Sequence, residues 1–188
     1  RGDQKALSKR APIHEVHLEE VIMHLANAAE AQKLRIPIIW HGDPESNFGK
    51  GMLNCDPEAP VAMMVTKIIV DPHAGEVAVG RLFSGKVIKG QEMHIIGMPN
   101  PNRAQMVSLT VGADRIPVDE IDAGNVVAIS GLKDAIAGST VSSDPEMQPF
   151  EKIVHYSDPV VTVAIEAKHT KDLPKLVDVL RTVAKADP

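Results

Sequence analysis

A chain of 188 residues with 44% hydrophobic content can bury a real core and is not a disordered tail. A formal net charge of -5 excludes nucleic-acid binding by general electrostatic attraction and leaves room only for a local basic edge. Aromatic residues make up 3%, so no base-stacking platform is available and the core must come from Val, Ile, Leu, Met and Ala.

In chain order, Leu18, Val21, Ile22 and Leu25 recur at steps of three and four while Glu15, Glu19 and Glu20 face elsewhere, which predicts an amphipathic helix from Ile13 to about Leu25. Pro12 stands where a helix can begin. Pro37, Gly42, Pro44, Gly49, Gly51, Pro57 and Pro60 then punctuate the stretch from Lys33 to Pro60, which predicts a wandering connector with a domain boundary in or near it.

From Val61 to Ser143 the texture is β-rich, with strands expected over Val61–Val70, Glu76–Ser84, Glu92–Gly97, Arg103–Val111 and Asn125–Ser130. Glycines at 75, 80, 85, 90, 124 and 131 suit the corners of a small closed barrel, with a sandwich as the alternative. The carboxylates Asp119, Glu120 and Asp122 are expected to form a solvated acidic turn. After a polar connector from Asp144 to Ser157, alternation over Val160–Ala167 predicts a strand. Asp172 then caps an expected helix bearing Leu173, Leu176, Val177, Leu180 and Val183. Leu176, Val177 and Leu180 should lie exposed, because one strand and one helix do not complete a layer.

No chemistry stands out. His14, His17 and His24 lack the spacing of a metalloprotease helix and are expected as a polar face. Gly42–Lys50 falls short of a phosphate loop, since Gly51 stands where Ser or Thr would hold magnesium. Asp71–Gly75 and Asp134–Gly138 each carry one residue too many for an Asp-x-x-Gly turn, and no Asn-Lys-x-Asp guanine reader occurs. Cys55, the single cysteine, has no identifiable base partner and is expected as a small structural residue, consistent with a reducing, cytoplasmic setting. No apolar run is long enough to cross a bilayer. No metal, cofactor or catalytic residue is assigned to the chain, and neither membrane nor DNA is expected as a partner.

Specificity enters with Ala62-Met63-Met64-Val65-Thr66-Lys67-Ile68-Ile69-Val70-Asp71-Pro72-His73-Ala74-Gly75-Glu76-Val77 and Gly80-Arg81-Leu82-Phe83-Ser84-Gly85. These, with Ala123–Ala128, Gly131–Asp134, Ala137–Thr140 and Pro149–Glu151, closely resemble the second domain of the elongation factor 2 family, the archaeal and eukaryotic-type ribosomal translocase GTPases. The resemblance continues both ways. Ala11–Val16, Glu30–Gln32, Arg35–Pro37 and Trp40–Asp43 are similar to the last helix and linker of the family's GTP-binding domain, and Asp158–Glu166 with Lys171–Leu176 to the start of its third domain, a split βαβ fold. Ala26, Ala28 and Ser139 depart from the family pattern.

The resemblance implies a mainly β fold: a small closed Greek-key β-barrel of the translation-factor domain II type, with an N-terminal helix and a C-terminal βα piece of a ferredoxin-like domain. The expected parts are 1–55, the end of the GTP-binding domain plus linker; 56–148, the barrel; and 149–188, the start of the third domain. A start at Arg1 and a stop just after a helical pattern fit an internal piece of a longer protein. The implied function is ribosome binding and domain coupling in GTP-dependent translocation, with GTP and Mg held by the parent protein outside this stretch. The implied partners are small-subunit ribosomal RNA and the GTP-binding domain. Contact with that RNA is expected at Arg81, Lys86 and Lys89, and at Arg103 with them. The alternatives are a related ribosomal or splicing GTPase and a free-standing nucleotide hydrolase.

Overall fold

A computed structural model describes residues 12–71, 75–112, 114–153 and 160–186. Among the described residues ten strands follow three helices, in the order β1 Ala62–Asp71, β2 Gly75–Ser84, β3 Lys86–Ile88, β4 Glu92–Ile95, β5 Asn102–Arg103, β6 Met106–Val111, β7 Asp114–Val118, β8 Glu120–Asp122, β9 Val126–Ser130 and β10 Thr140–Ser142. Eight form one antiparallel sheet in the order β5-β4-β10-β1-β2-β9-β6-β7, and β3 pairs with β8 as a separate ribbon.

The sheet closes through one bent strand. β5 pairs with β4 and β6 pairs with β9, while Ala104 and Gln105 join β5 directly to β6. Ala104 N donates to Gln91 O at 2.9 Å and Gln105 N to Ser130 O at 2.9 Å, so neighbouring residues bond to opposite sides of the ring. A barrel made this way leaves few free edges, and Pro117 in β7 blunts the remaining one because proline offers no N–H.

Alternation along β1 and β2 builds two cores. Met63, Val65 and Leu82 point into the barrel beside Val107, Ile129 and Val141, whereas Ala62 and Phe83 point outward to meet Ile36, Trp40, Met52, Met147 and Phe150. Both faces of this strand end are therefore covered, which explains its nearly unbroken apolar run. Burying one such side chain stabilises the fold by about 1.5–3 kcal/mol. The Phe83 and Phe150 rings sit 5.1 Å apart at a tilt of 48°.

The expected connector from Lys33 to Pro60 is largely helical, with helices at Ala28–Ile39 and Asn47–Asn54. Asn27 and Glu30 form a capping box that starts the first, and Pro37 is tolerated close to its end. The Ser46 side chain caps the second by accepting from Gly49 N at 3.1 Å. Proline and glycine spacing signalled a loop; the caps outweighed it.

Three further expectations change. The acidic turn is strand β8, because Ile121 between its carboxylates is buried and pulls the segment into the ribbon. β3, β7 and β10 are strands that the pattern did not announce, each being short or carrying proline. Residues 161–167 form no strand; Val161, Val163 and Ile165 lie exposed, since an alternating segment needs a paired neighbour to become one.

The expected helices do form, at Ile13–His24 and Leu173–Ala186. Leu18, Val21 and Ile22 on the first are exposed, as are Val177 and Leu180 on the last, while Leu176 is half-buried. Among the described residues no helix is long and apolar enough to cross a membrane.

Candidate functional site

The four cations proposed from sequence fall into three places. Lys86 lies on β3, Lys89 follows that strand, and Arg103 on β5 donates through Nε to Gly90 O at 2.8 Å. Lys89 and Arg103 share the β3–β4 turn, whereas Lys86 opens β3 at its other end, opposite Asp122. The backbone of the turn is fixed by Lys89 N donating to Asp119 O at 2.8 Å and by Gly90, whose φ of +86° suits a residue without a side chain. Gly90, Glu92, Pro101, Asn102 and Arg103 line a shallow cleft beside it.

Arg81 is elsewhere. It pairs with Met64 and Val126 within the sheet, half-buried, and its charge is felt by Cys55 at the end of the Asn47–Asn54 helix. It therefore belongs to the seam between barrel and helices rather than to the turn.

Lys86 is occupied by its own protein. The ammonium lies 3.5 Å from Asp122 and 3.7 Å from Glu120, and these carboxylates, Glu120 foremost, raise its pKa above the ordinary 10.5. Sequence reading missed this pairing, although a Glu-x-Asp step places both carboxylates on one side of a strand, where a lysine opposite can meet them. Among the described residues Lys89 and Arg103 have no carboxylate partner, and both are exposed.

The near-miss nucleotide segment is committed to other contacts. A Cβ at Gly49 would sit 2.4 Å from Pro44 O, so the backbone there is packed against itself, and Lys50 pairs with Glu45 at 3.2 Å. Asp134, in the left-handed region at φ +66°, lies 3.6 Å from Lys185. His14 and His24 lie beside Glu15 and Glu20 on an exposed helix face. Among the described residues no cluster of three or more metal-ligating side chains occurs. Burial raises the Cys55 thiol pKa above 9.0, with the Arg81 charge pulling the other way.

This barrel is a known one. The family model described as "Elongation factor G domain 2" matches residues 60–144, which span β1 to β10. Across 100% of the chain, identity is 64% to elongation factor 2 of Picrophilus torridus, 58% to that of Thermoplasma acidophilum and 56% to that of Archaeoglobus fulgidus. The chain spans only 25% of the length of the first two relatives and 26% of the third. A match that runs unbroken through helices, barrel and C-terminal helix, at such identity, means that the chain belongs to the elongation factor 2 family.

Proposed function

We propose that this chain works within a longer translation factor as the ribosome-facing, domain-coupling part of a cytoplasmic, GTP-dependent translocase of transfer and messenger RNA. The observation that carries this reading is identity of 64% to an elongation factor 2 over the whole chain, barrel and flanking helices alike. The relatives named above all carry that one name, which favours it over an initiation, termination or splicing GTPase. In this reading residues 1–55 end the GTP-binding domain, 56–148 are the barrel and 149–188 open the third domain. GTP and Mg are held by the parent protein, outside this chain.

Small-subunit ribosomal RNA is the proposed partner of the barrel, through Arg81, Lys86, Lys89 and Arg103. A phosphate is most readily met by Lys89 and Arg103, which are exposed and lack a carboxylate partner among the described residues, and least readily by Lys86, which would first have to leave Glu120 and Asp122. Co-sedimentation of the 188-residue chain with archaeal small subunits across a salt series tests this. Binding should weaken with salt, and Lys89→Ala with Arg103→Ala should lower the log–log slope by about 0.7 for each phosphate no longer neutralised. Lys86→Ala should matter less. Salt-insensitive binding, unchanged after removal of charge at Arg81 and Lys86, would count against the reading, as would tight GTP binding by this chain alone.

A further inference from the structure

Gln32 is a polar side chain buried to 2% exposure in the seam between helices and barrel. Its Nε2 donates to two carbonyls at once, those of Met52 and Phe83, positions 20 and 51 residues away. Each carbonyl is short of a partner for its own reason. Met52 lies in the last turn of its helix, where carbonyls lose their intrahelical donors, and receives only a long 3.4 Å bond from Cys55 N. Phe83 is the extra residue of a bulge, since Ala62 pairs with Ser84 and Met63 with Leu82, leaving Phe83 outside the ladder.

We propose that Gln32 is a positioning residue that holds the helical layer in one pose on the barrel, by supplying from a single nitrogen the two donors that these two carbonyls lack. The amide nitrogen is suited to this, while the Oε1 beside it is buried without a partner among the described residues. The nitrogen carries two N–H groups without charge, whereas leucine has none and glutamate would bring acceptors against acceptors. Apolar contacts between Trp40, Met52, Phe83 and Phe150 tolerate sliding, because dispersion is not directional. Two hydrogen bonds from one buried atom do not, and they join the Ala28–Ile39 helix, the Asn47–Asn54 helix and β2 at one point. The functional weight of the device rests on the domain-coupling reading above: a barrel that meets RNA and a helix that continues toward a nucleotide domain stay in register only if this seam is stiff.

Hydrogen exchange on the full chain tests the device without ribosomes, so its outcome is independent of whether ribosome binding is observed. Gln32→Glu should speed exchange across the Ala28–Ile39 helix about tenfold or more at about pH 8 while β1, β2 and β9 keep wild-type protection. At about pH 5 the buried carboxyl regains a proton it can donate, so protection, corrected for intrinsic exchange, should partly return. Gln32→Leu should loosen the same helix with no such pH dependence, and it serves as the readout if the glutamate variant does not fold. Helix protection at the wild-type level in Gln32→Leu, or uniform loosening of barrel and helix in both variants, would overturn the inference.

Discussion

The indole Nε1 of Trp40 donates to the carbonyl oxygen of Gln148 at 2.8 Å, joining positions 108 residues apart. Beside it Glu151 N donates to Ile39 O at 2.8 Å, so the chain leaving the barrel is bonded to the helix that precedes it. The Trp40 side chain, 5% exposed, fills the space between them.

Trp40→Phe should therefore destabilise the chain by about 1 kcal/mol through the unpaired Gln148 carbonyl. Trp40→Ala should cost about 3–5 kcal/mol, since it also opens a cavity against Ile36, Met52 and Phe150. Urea unfolding followed by far-ultraviolet circular dichroism gives both values. Equal losses for the two variants would mean that the ring volume contributes little.

Gly131 stands at the barrel's closing corner with φ +98°, and a Cβ there would lie 2.3 Å from Arg103 O. Gly131→Ala meets both a strained backbone and a clash that only main-chain movement relieves. A loss of about 2–4 kcal/mol is expected from thermal unfolding, together with faster exchange at Gln105 N, which bonds to Ser130 O. The same substitution at Gly97, whose Cβ would meet nothing within 4 Å, should cost less, from its φ of +92° alone.

Lys86 links stability to alkaline pH. Its folded pKa is raised by Glu120 and Asp122, so its contribution is full below the unfolded value near 10.5 and disappears as pH rises through the higher folded value. Lys86→Met should remove that alkaline loss and should also lower stability at neutral pH by leaving Glu120 and Asp122 facing each other without a cation. Melting temperatures from pH 7 to above 10.5 give the test, and parallel curves for wild type and variant would refute it.

Cys55 should label slowly. Burial keeps its thiol protonated beyond the ordinary 9.0, so reaction with a disulfide reagent should be slow at neutral pH and reach half-maximum above that value. Arg81 opposes the shift, and Arg81→Gln should move the midpoint further up. A midpoint that stays put would show that the guanidinium does not act on the sulfur.

How much could be read in advance differs from element to element. β1 and β2 were legible because their apolar runs and glycines report a buried strand pair directly, whichever neighbours they acquire. β3 and β8 were not, because three-residue strands carry too little periodicity and form only once Val87 and Ile121 have a core to enter. Residues 161–167 show the converse: the alternation is present, but pairing is a relation between two segments. Of the basic residues, only their identity and place along the chain were readable. That Lys86 is paired while Lys89 and Arg103 are exposed was not, since Glu120 and Asp122 lie more than thirty positions from Lys86 in the chain.

By itself, the order of amino acids determined the kind of strand-rich core and its glycine corners, because these depend on local periodicity and on residue types that steric rules require; the family was legible only through the likeness of particular runs to a known domain. Tertiary structure alone decided which orphan carbonyls meet which donors. The helix end at Met52, the bulge at Phe83 and the amide of Gln32 each satisfy ordinary local rules, and only their meeting in space makes one joint of them. The physical reason is that a hydrogen bond demands a partner within about 3 Å, a condition that separation along the chain does not encode.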